Sequence, residues 1–190
     1  MRARAVAFGL LLAPLPGLAE EAAATFPDRS KAFAGVAFGA TLEEARQQWQ
    51  LEEAEGASVP DDPVKVYLRE EESHVFGGVR VREVIYYFLR DRFYAVGFAT
   101  PDTRQTAILR EALELGYGAK PQADDAGRSL VWPGSSVSAQ LVVDGATGEG
   151  RLLFFSNELQ PEYEQTSREA AAKTAAGLSG TPAPPAEPSM

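Results

Sequence analysis

The sequence predicts an α+β domain in which helices pack on an antiparallel β-sheet. Short segments with alternating apolar residues follow one another on short turns, which is typical of antiparallel strands. Two amphipathic segments with helix-capping residues interrupt these strands, at residues 42–50 and from residue 101. The order of helix, three strands, helix and three strands suggests a tandem repeat with halves 33–99 and 100–157.

The folded domain is predicted to begin with a strand at residues 33–38 that turns into the first helix. Gly35 and Gly39 lie in this region, but the third glycine of a dinucleotide fingerprint and the lysine of a phosphate-binding loop are absent. Thr41 is a suitable N-cap, and Glu44 three residues later completes a capping box. The glycines are therefore interpreted as turn residues that bind no phosphate.

The first helix, residues 42–50, is predicted to bury Trp49 on its apolar stripe. A loop rich in acidic residues and proline follows at residues 52–63. The next predicted strands are residues 64–69, 79–89 and 93–99. Arg90, Asp91 and Arg92 form the turn of a hairpin between the last two strands.

Alternation assigns the faces of these strands, because successive side chains point to opposite sides of a sheet. Tyr94, Val96 and Phe98 are predicted to share one face of their strand. In the strand at 64–69, the buried face is predicted to carry Val64, Val66 and Leu68, and the opposite face Lys65, Tyr67 and Arg69.

The second half is predicted to begin with a helix that has Thr100 as N-cap and Pro101 at its first position. Gly116 and Gly118 end this helix. Its predicted buried stripe is Ile108, Leu109, Ala112 and Leu113. The strands that follow are predicted at residues 129–132, 137–143 and 151–155.

The two ends of the chain have compositions unlike the domain between them. Arg2, Arg4, an apolar run at residues 5–15 and small residues before Ala19 predict a signal peptide, residues 1–19, cut near Ala19. The apolar run is too short to span about 30 Å of hydrocarbon, so no transmembrane span is expected. The further predicted regions are a loose segment at 20–30, an α+β domain at 31–160, a peripheral helix at 158–177 and a disordered Pro-rich tail at 178–190.

Composition restricts the possible functions. The net charge of −9 disfavours binding to nucleic acid. The chain has no cysteine and one histidine, His74, so no disulfide, zinc site or Cys nucleophile is expected. Acidic pairs at residues 61–62 and 124–125 lack the spacing of a calcium loop. No catalytic residues, no metal and no cofactor are therefore predicted.

A cluster of basic and aromatic residues is the candidate binding surface. If the strands at 64–69 and 79–89 pair, basic side chains from both could project together beside two tyrosines. Arg and Tyr are enriched at the energetically important positions of protein interfaces. The partner-binding candidates are Lys65, Tyr67, Arg69, Arg80, Arg82 and Tyr86.

Two motif groups resemble small exported bacterial proteins of unknown function. The first is GVxFGxTLEEA at residues 35–45, followed by Trp49. The second is FGGVxVxxVxYxF at 76–88 with DRFYxV at 91–96, and the resemblance covers residues 33–159. A looser resemblance to β-lactamase inhibitor proteins and small outer-membrane assembly lipoproteins implies helices on one face of an antiparallel sheet. Those proteins bind other proteins, but this chain lacks their cysteines, so only the architecture is implied.

The sequence thus leaves three functional hypotheses. The first is a non-enzymatic periplasmic interaction module that binds an envelope protein through the basic cluster. The second is a small-ligand-binding periplasmic protein with a site between helix and sheet near Tyr86, Tyr87, Tyr94 and Trp132. The third is a hydrolase that uses carboxylates.

Overall fold

The computed structural model describes residues 27–54, 63–69, 75–76, 78–118 and 120–178. The predicted signal peptide, His74 and residues 179–190 of the predicted tail lie outside these ranges. The helices are α1 (Pro27–Ser30), α2 (Leu42–Arg46), α3 (Thr103–Tyr117) and α4 (Gln160–Leu178). The strands are β1 (Ala32–Phe33), β2 (Val36–Ala37), β3 (Leu51–Glu53), β4 (Val64–Arg69), β5 (Val75–Phe76), β6 (Val79–Arg80), β7 (Val84–Leu89), β8 (Arg92–Ala99), β9 (Gln122–Ala123), β10 (Ser129–Trp132), β11 (Val137–Val143) and β12 (Gly150–Ser156).

Eight strands form one antiparallel sheet in the order β3-β4-β7-β8-β12-β11-β10-β9, which confirms the predicted α+β class. The four strands from the first part of the chain lie on one side of the sheet, and the four from the second part lie on the other. The last strand of each group meets the other at the centre, where Leu153 of β12 pairs with Gly97 of β8. Each predicted half thus contributes four strands to this sheet instead of three. A duplication of the halves stays a prediction.

One face of the sheet, here called the core face, carries most of the buried apolar side chains. The helices α2 and α3 pack on it, α2 beside β8 and α3 beside β10 and β11. Its largest fully buried side chains include Trp132, Tyr67, Tyr86, Phe88, Phe93, Phe154, Leu109, Leu113 and Leu141. The opposite face, here called the α4 face, carries a smaller cluster under α4 that includes Leu89, Tyr94, Ala95 and Leu159.

The hairpin of β7 and β8 is present as predicted, and its turn has a specific backbone conformation. Arg90 and Asp91 both have positive φ, 46° and 60°, as the two central residues of a type I′ turn require. A β-bulge interrupts the register between Tyr87 and Phe88. The extra residue on β8 places Phe93 on the core face and Tyr94 on the α4 face. The prediction that Tyr94 shares a face with Val96 and Phe98 is therefore wrong.

The segment before α2 is a tight hairpin and not one strand at 33–38. Ala34 and Gly35 have positive φ and connect β1 to β2. The capping box is confirmed, because Thr41 accepts from the Glu44 N–H while the Glu44 carboxylate accepts from the Thr41 N–H. The helix itself ends at residue 46, and Trp49 is buried just beyond it, with its Nε1 donating to the Ala34 carbonyl at 3.1 Å.

The predicted strand 79–89 is divided into two pieces. Val79 and Val81 are buried, and Val84 is the next buried valine, so the period of two shifts between 81 and 84. The first piece, β6, pairs with β5 and packs beside α3, whereas β7 joins the main sheet. The backbone N–H of Arg82 donates to the Ala99 carbonyl at 2.8 Å and holds the connection between β6 and β7 against the end of β8.

The start of α3 differs from the prediction. Its N-cap is Asp102, whose carboxylate accepts from the Gln105 N–H at 2.8 Å. Thr100 is fully buried instead, and its hydroxyl accepts from the Gly150 N–H at 2.8 Å and lies 2.5 Å from the Thr106 hydroxyl. At the C-terminal end Gly118 has the left-handed conformation, as predicted, whereas Gly116 lies inside the helix and does not end it.

The predicted stripe of α3 is partly wrong. Leu109 and Leu113 are fully buried, but Ile108 is 39 % exposed and Thr106 takes its place on the core face. At the end of the chain, α4 starts at Gln160 and extends one residue into the predicted tail. Within the described residues, no helix is both long and apolar enough to cross a membrane.

The segment predicted to be loose, residues 20–30, contains ordered structure at its end. Residues 27–30 form α1, and the Asp28 carboxylate accepts from the N–H groups of Ser136 (2.7 Å) and Val137 (2.9 Å). Burial raises the pKa of Asp28, but hydrogen bonds from the backbone of residues 135–137 and the Ser135 hydroxyl outweigh it, so this pKa lies below its ordinary value. The start of the domain is therefore fastened to the turn between β10 and β11.

Candidate functional site

The two tyrosines of the predicted binding surface belong to the core. Tyr67 is 1 % exposed and Tyr86 is fully buried, and they face each other across β4 and β7. Tyr86 packs against Trp49 with ring centroids 4.7 Å apart, and Tyr67 packs against Phe88 at 5.3 Å. The prediction that they project to a partner is corrected, because Arg46 at the end of α2 lies over the Tyr67 ring and Trp49 packs on Tyr86, on the face that was taken as solvated.

The four basic residues of that surface do not converge. Lys65 is exposed on β4, and the Arg69 guanidinium lies over the Trp49 ring, 5.9 Å from its centroid. Arg80 is on β6, outside the main sheet, where its backbone N–H donates to Gln105 Oε1 at 3.0 Å.

Arg82 belongs to a different part of the surface. Its Nη2 atom donates to the Pro101 carbonyl at 2.9 Å and forms an ion pair with Glu149 at 2.5 Å. This pair fastens the chain before β7 to the turn between β11 and β12. The six residues that the sequence grouped together are therefore distributed over the core face, the β6 hairpin and the rim of the opposite face.

The α4 face carries the more promising surface. At its centre β8 presents only small residues, Ala95, Gly97 and Ala99, because the alternate positions of this strand point into the core. The side chains of β7 and β12 stand on either side, about 10 Å apart over two strand spacings. This depression is called the β8 trough. Its walls are Ile85 and Tyr87 on β7 and Arg151 and Leu153 on β12.

One end of the β8 trough is covered by α4. Leu159 is 2 % exposed, and Tyr163 stacks on Tyr94. A groove of about 380 Å³ remains between the helix and the sheet. It is lined by Val64, Val66, Tyr87, Tyr94, Ala95, Leu153, Tyr163, Thr166, Ser167 and Ala170.

The first turn of α4 is held to the hairpin by charge. The Glu162 carboxylate pairs with Arg90 at 3.2 Å and with Arg92. The Tyr94 hydroxyl donates to Gln160 Oε1 at 2.5 Å. Burial, with the nearby Tyr163 and Glu164, raises the pKa of Tyr94, so this hydroxyl remains a donor at neutral pH.

The other end of the β8 trough, here called the uncovered end, is not covered by any of the described residues and forms a depression of about 560 Å³. Ile85, Gly97, Ala99, Leu153 and Val142 supply its apolar surface, and Val142 is 42 % exposed. Charged groups surround this apolar centre. They are Arg82, Glu83, Glu149 and Arg151.

Tyr87 separates the covered end from the uncovered end. It lines both depressions, and a Cβ added at Gly97 would lie 3.3 Å from Cε2 of Tyr87. The ring therefore lies against the glycine backbone. Burial and the neighbouring Tyr163 raise the pKa of Tyr87, whereas Arg151 opposes this shift.

The residues predicted for a small-ligand site are divided between the two faces. Tyr86 and Trp132 are buried in the core, whereas Tyr87 and Tyr94 line the groove under α4. Trp132 Nε1 is buried and has no hydrogen-bond partner among the described residues. Of the four aromatic residues, only Tyr87 and Tyr94 are placed to contact a molecule under α4.

The chemistry of the uncovered end suits binding. Two carboxylates, Glu83 and Glu149, border it, and Glu149 is already paired with Arg82. In the part of the chain that the structure describes, no group of three or more His, Cys, Asp and Glu could hold a metal ion. The acidic pair at residues 124–125 lies elsewhere, where the Asp124 carboxylate accepts from the backbone N–H groups of Arg128 and Ser129 and so stabilises its own loop.

The sequence contained a signal for the β8 trough that alternation alone did not reveal. Ala95, Gly97 and Ala99 recur at every second position, so from residue 95 onward one face of this strand has no large side chain. The importance of that pattern depends on which strands lie beside β8. The neighbour β12 is more than 50 residues away in the sequence.

The chain matches no protein-family model, no curated protein and no solved structure. The resemblance to small exported bacterial proteins therefore stays a prediction.

Proposed function

We propose that the protein is a non-enzymatic periplasmic interaction module that binds an envelope protein through the uncovered end of the β8 trough. The observation that carries this proposal is the uncovered apolar depression beside α4, where Val142 is 42 % exposed within a ring of charged side chains. An apolar centre with a polar rim is the usual anatomy of a protein interface.

The proposed function is of the kind that the sequence predicted, but the binding surface is a different one. The predicted cluster included Tyr67 and Tyr86, which are buried in the core, whereas Ile85, Leu153 and Val142 have partial or full access to solvent. The signal-like residues 1–19 and the lack of cysteine support export to the periplasm. Arg82 is the one residue of the original set that lies at the new surface.

The test is affinity purification of the tagged full-length protein from its own cell envelope, comparing Val142→Asp with the wild type. The introduced carboxylate should prevent capture of the wild-type partners, because it places a charge at the apolar centre of the contact. The matched control is Leu115→Asp, since Leu115 is 82 % exposed on α3 across the sheet. Capture of the same proteins by Val142→Asp and the wild type would contradict the proposal.

Charge reversal separates the two candidate surfaces. Arg151→Glu should weaken capture, whereas Lys65→Glu and Arg80→Glu should leave it unchanged, since Lys65 and Arg80 do not line the β8 trough. The opposite pattern would return the binding surface to the cluster that the sequence predicted.

A second candidate function is the binding of a small molecule in the groove under α4. The supporting observation is its lining, which combines apolar side chains with the hydroxyl-bearing residues Tyr87, Tyr163, Thr166 and Ser167. Ligand pockets commonly have this mixture of apolar walls and a few polar groups. A thermal-shift screen with periplasmic metabolites tests it, with Ser167→Trp as the variant that fills the groove. A ligand that stabilises the wild type and this variant equally would count against the groove.

The hydrolase hypothesis has less support. Of the two described acids that line the uncovered end, Glu149 is paired with Arg82, so Glu83 is the one lining carboxylate there without an ion pair among the described residues. Assays with generic ester, phosphate and glycan substrates, comparing wild type with Glu83→Gln, would detect such an activity.

A further inference from the structure

The two faces of the sheet are covered unequally by helices. On the core face, α2 packs on the first group of strands and α3 on the second. On the other face, α4 packs over β4, β7 and β8 of the first group. Among the described residues, no helix covers β11 and the start of β12 on this face, and Val142 and Arg151 are exposed there. The described part of the chain thus fills three of the four comparable positions with a helix.

The shape of the β8 trough suits a helix. At Gly97 the side chains of Tyr87 and Leu153 close over the floor, but beyond this point the strands β7 and β12 flank Ala99 about 10 Å apart, close to the diameter of a helix with its side chains. The helix α4 already rests on the same trough at the Ala95 end and inserts Tyr163 beside Tyr94. The Tyr87 ring lies against Gly97 and interrupts the surface, which resumes at Ala99.

An extended peptide suits this surface less well. The backbone groups of β7, β8 and β12 are already used in the ladders of the sheet, as the pairs Ile85–Gly97 and Gly97–Leu153 illustrate. An extended segment on this face would find few partners for its own N–H and C=O groups, whereas a helix satisfies them internally. Strand addition takes place at a sheet edge, and this surface lies at the sheet centre.

The charges around the trough specify the partner further. Arg151 of β12 pairs with Ala99, and Glu83 lies on the opposite side, immediately before β7. Among the described residues, the Arg151 side chain makes no hydrogen bond or ion pair. A partner with an acidic side chain toward β12 and a basic one toward β7 would complement both.

We infer that the occupant of the uncovered end is an amphipathic helix of a partner protein, packed beside α4. Its apolar stripe contacts Ile85, Leu153 and Val142, and an Asp or Glu of the helix pairs with Arg151. This inference rests on the proposed function and adds the kind of partner that the surface accepts.

The experiment places a photo-cross-linking benzoylphenylalanine at position 142 of the full-length protein in its own cells. The control position is Leu115, which is exposed on the other side of the sheet. Mass spectrometry identifies the segment attached at position 142. That segment is then synthesised, and its affinity for the purified full-length protein is measured by fluorescence anisotropy.

The expected segment is amphipathic and carries an Asp or Glu beside its apolar stripe. A proline at its centre should weaken binding about 100-fold, because proline breaks a helix. Arg151→Glu should weaken binding roughly 10-fold, and replacing the acid of the peptide with Lys should restore it. Arg151→Lys, which keeps the charge, should bind within about threefold of the wild type.

The other outcomes separate the two proposals. If the peptide binds equally well with the central proline, the helical partner is excluded while the proposed function stands. Attachment to a second copy of this chain would also exclude the partner helix. If position 142 attaches to no protein, or only to the proteins found at Leu115, the proposed function fails together with this inference.

Discussion

The rings of Tyr94 and Tyr163 stack with their centroids 4.8 Å apart and their planes 20° from parallel. This contact exists because the β-bulge in β8 turns Tyr94 away from the core face, toward α4. It fixes the helix over one end of the β8 trough. The extent of the uncovered surface is therefore determined by one irregularity in the central hairpin.

The first prediction concerns the coupling between these two rings. Tyr94→Leu and Tyr163→Leu should each lower the free energy of unfolding. The loss in the double variant should be about 1 kcal/mol smaller than the sum of the two single losses, because stacked rings interact beyond the area they bury. Urea unfolding of the four proteins measures this coupling energy.

Tyr94→Phe is the control for the first prediction. It keeps the stacked ring and removes the hydroxyl that donates to Gln160, so it should lower the free energy of unfolding by about 1 kcal/mol. A coupling energy of zero in the Leu cycle would mean that the rings contact each other without mutual stabilisation.

The second prediction concerns the turn between β11 and β12. Gly148 has φ 71°, and a Cβ at this position would lie 2.1 Å from Thr103 Oγ1. Gly148→Ala should therefore destabilise the domain by about 3 kcal/mol, through both the strained φ and the collision. Thermal or urea unfolding measures this change.

Gly127→Ala is the matched control for the turn. Gly127 has φ 66°, but a Cβ there would meet nothing within 4 Å, so this variant should cost only about 1 kcal/mol. Combining Gly148→Ala with Thr103→Ala should recover part of the loss. Equal effects of the two glycine variants would show that the turn can move away from α3.

The third prediction is a dependence of stability on pH through Asp28. The pKa of Asp28 in the folded protein lies below its ordinary value of 3.8. Ionised Asp28 therefore stabilises the fold above about pH 4, and this contribution is lost as the pH falls through the folded-state pKa. Asp28→Asn should lower the free energy of unfolding at pH 7 by about 1 kcal/mol and have a smaller effect at acidic pH.

Urea unfolding at a series of pH values tests this effect. Glu111→Gln on the exposed side of α3 is the control, and its unfolding free energy should stay within about 0.5 kcal/mol of the wild type. A constant difference between Asp28→Asn and the wild type down to the lowest pH would contradict the role of the ionised carboxylate.

The fourth prediction compares two neighbours on β11. Leu141 is fully buried on the core face, and Val142 is 42 % exposed on the other. Leu141→Ala should destabilise the domain by about 3 kcal/mol, whereas Val142→Lys should change its stability by no more than about 0.5 kcal/mol. A large loss in Val142→Lys would show that this part of the sheet is covered in solution, for example by a second copy.

Some elements were predictable because their causes are local. The capping box of Thr41 and Glu44 and the left-handed Gly118 depend on residues within one turn of the chain. The hairpin of β7 and β8 was also predictable, because its strands alternate and its turn is short. The strands β3 and β9 were missed because two or three exposed residues at a sheet edge carry no alternating pattern.

The candidate surface was predicted less well, for a physical reason. Alternation shows that Tyr67 and Val66 lie on opposite faces of β4, but it does not show which face a helix will cover. The sequence favoured burial of the valines, because Lys65 and Arg69 lie on the face of Tyr67. In the structure, Tyr67 is in the core, and the Arg69 guanidinium lies over Trp49.

The α+β class, the capped start of α2 and the central hairpin follow from the amino-acid sequence, since each depends on residues close together in the chain. Three features appear only in the folded chain: β12 lies beside β8, the bulge turns Tyr94 toward α4, and the described residues leave one face of β11 uncovered. The pairing of β8 with β12 and the stacking of Tyr94 on Tyr163 join segments more than 50 residues apart. Local propensity and periodicity do not specify such contacts, because they depend on how complete surfaces fit together.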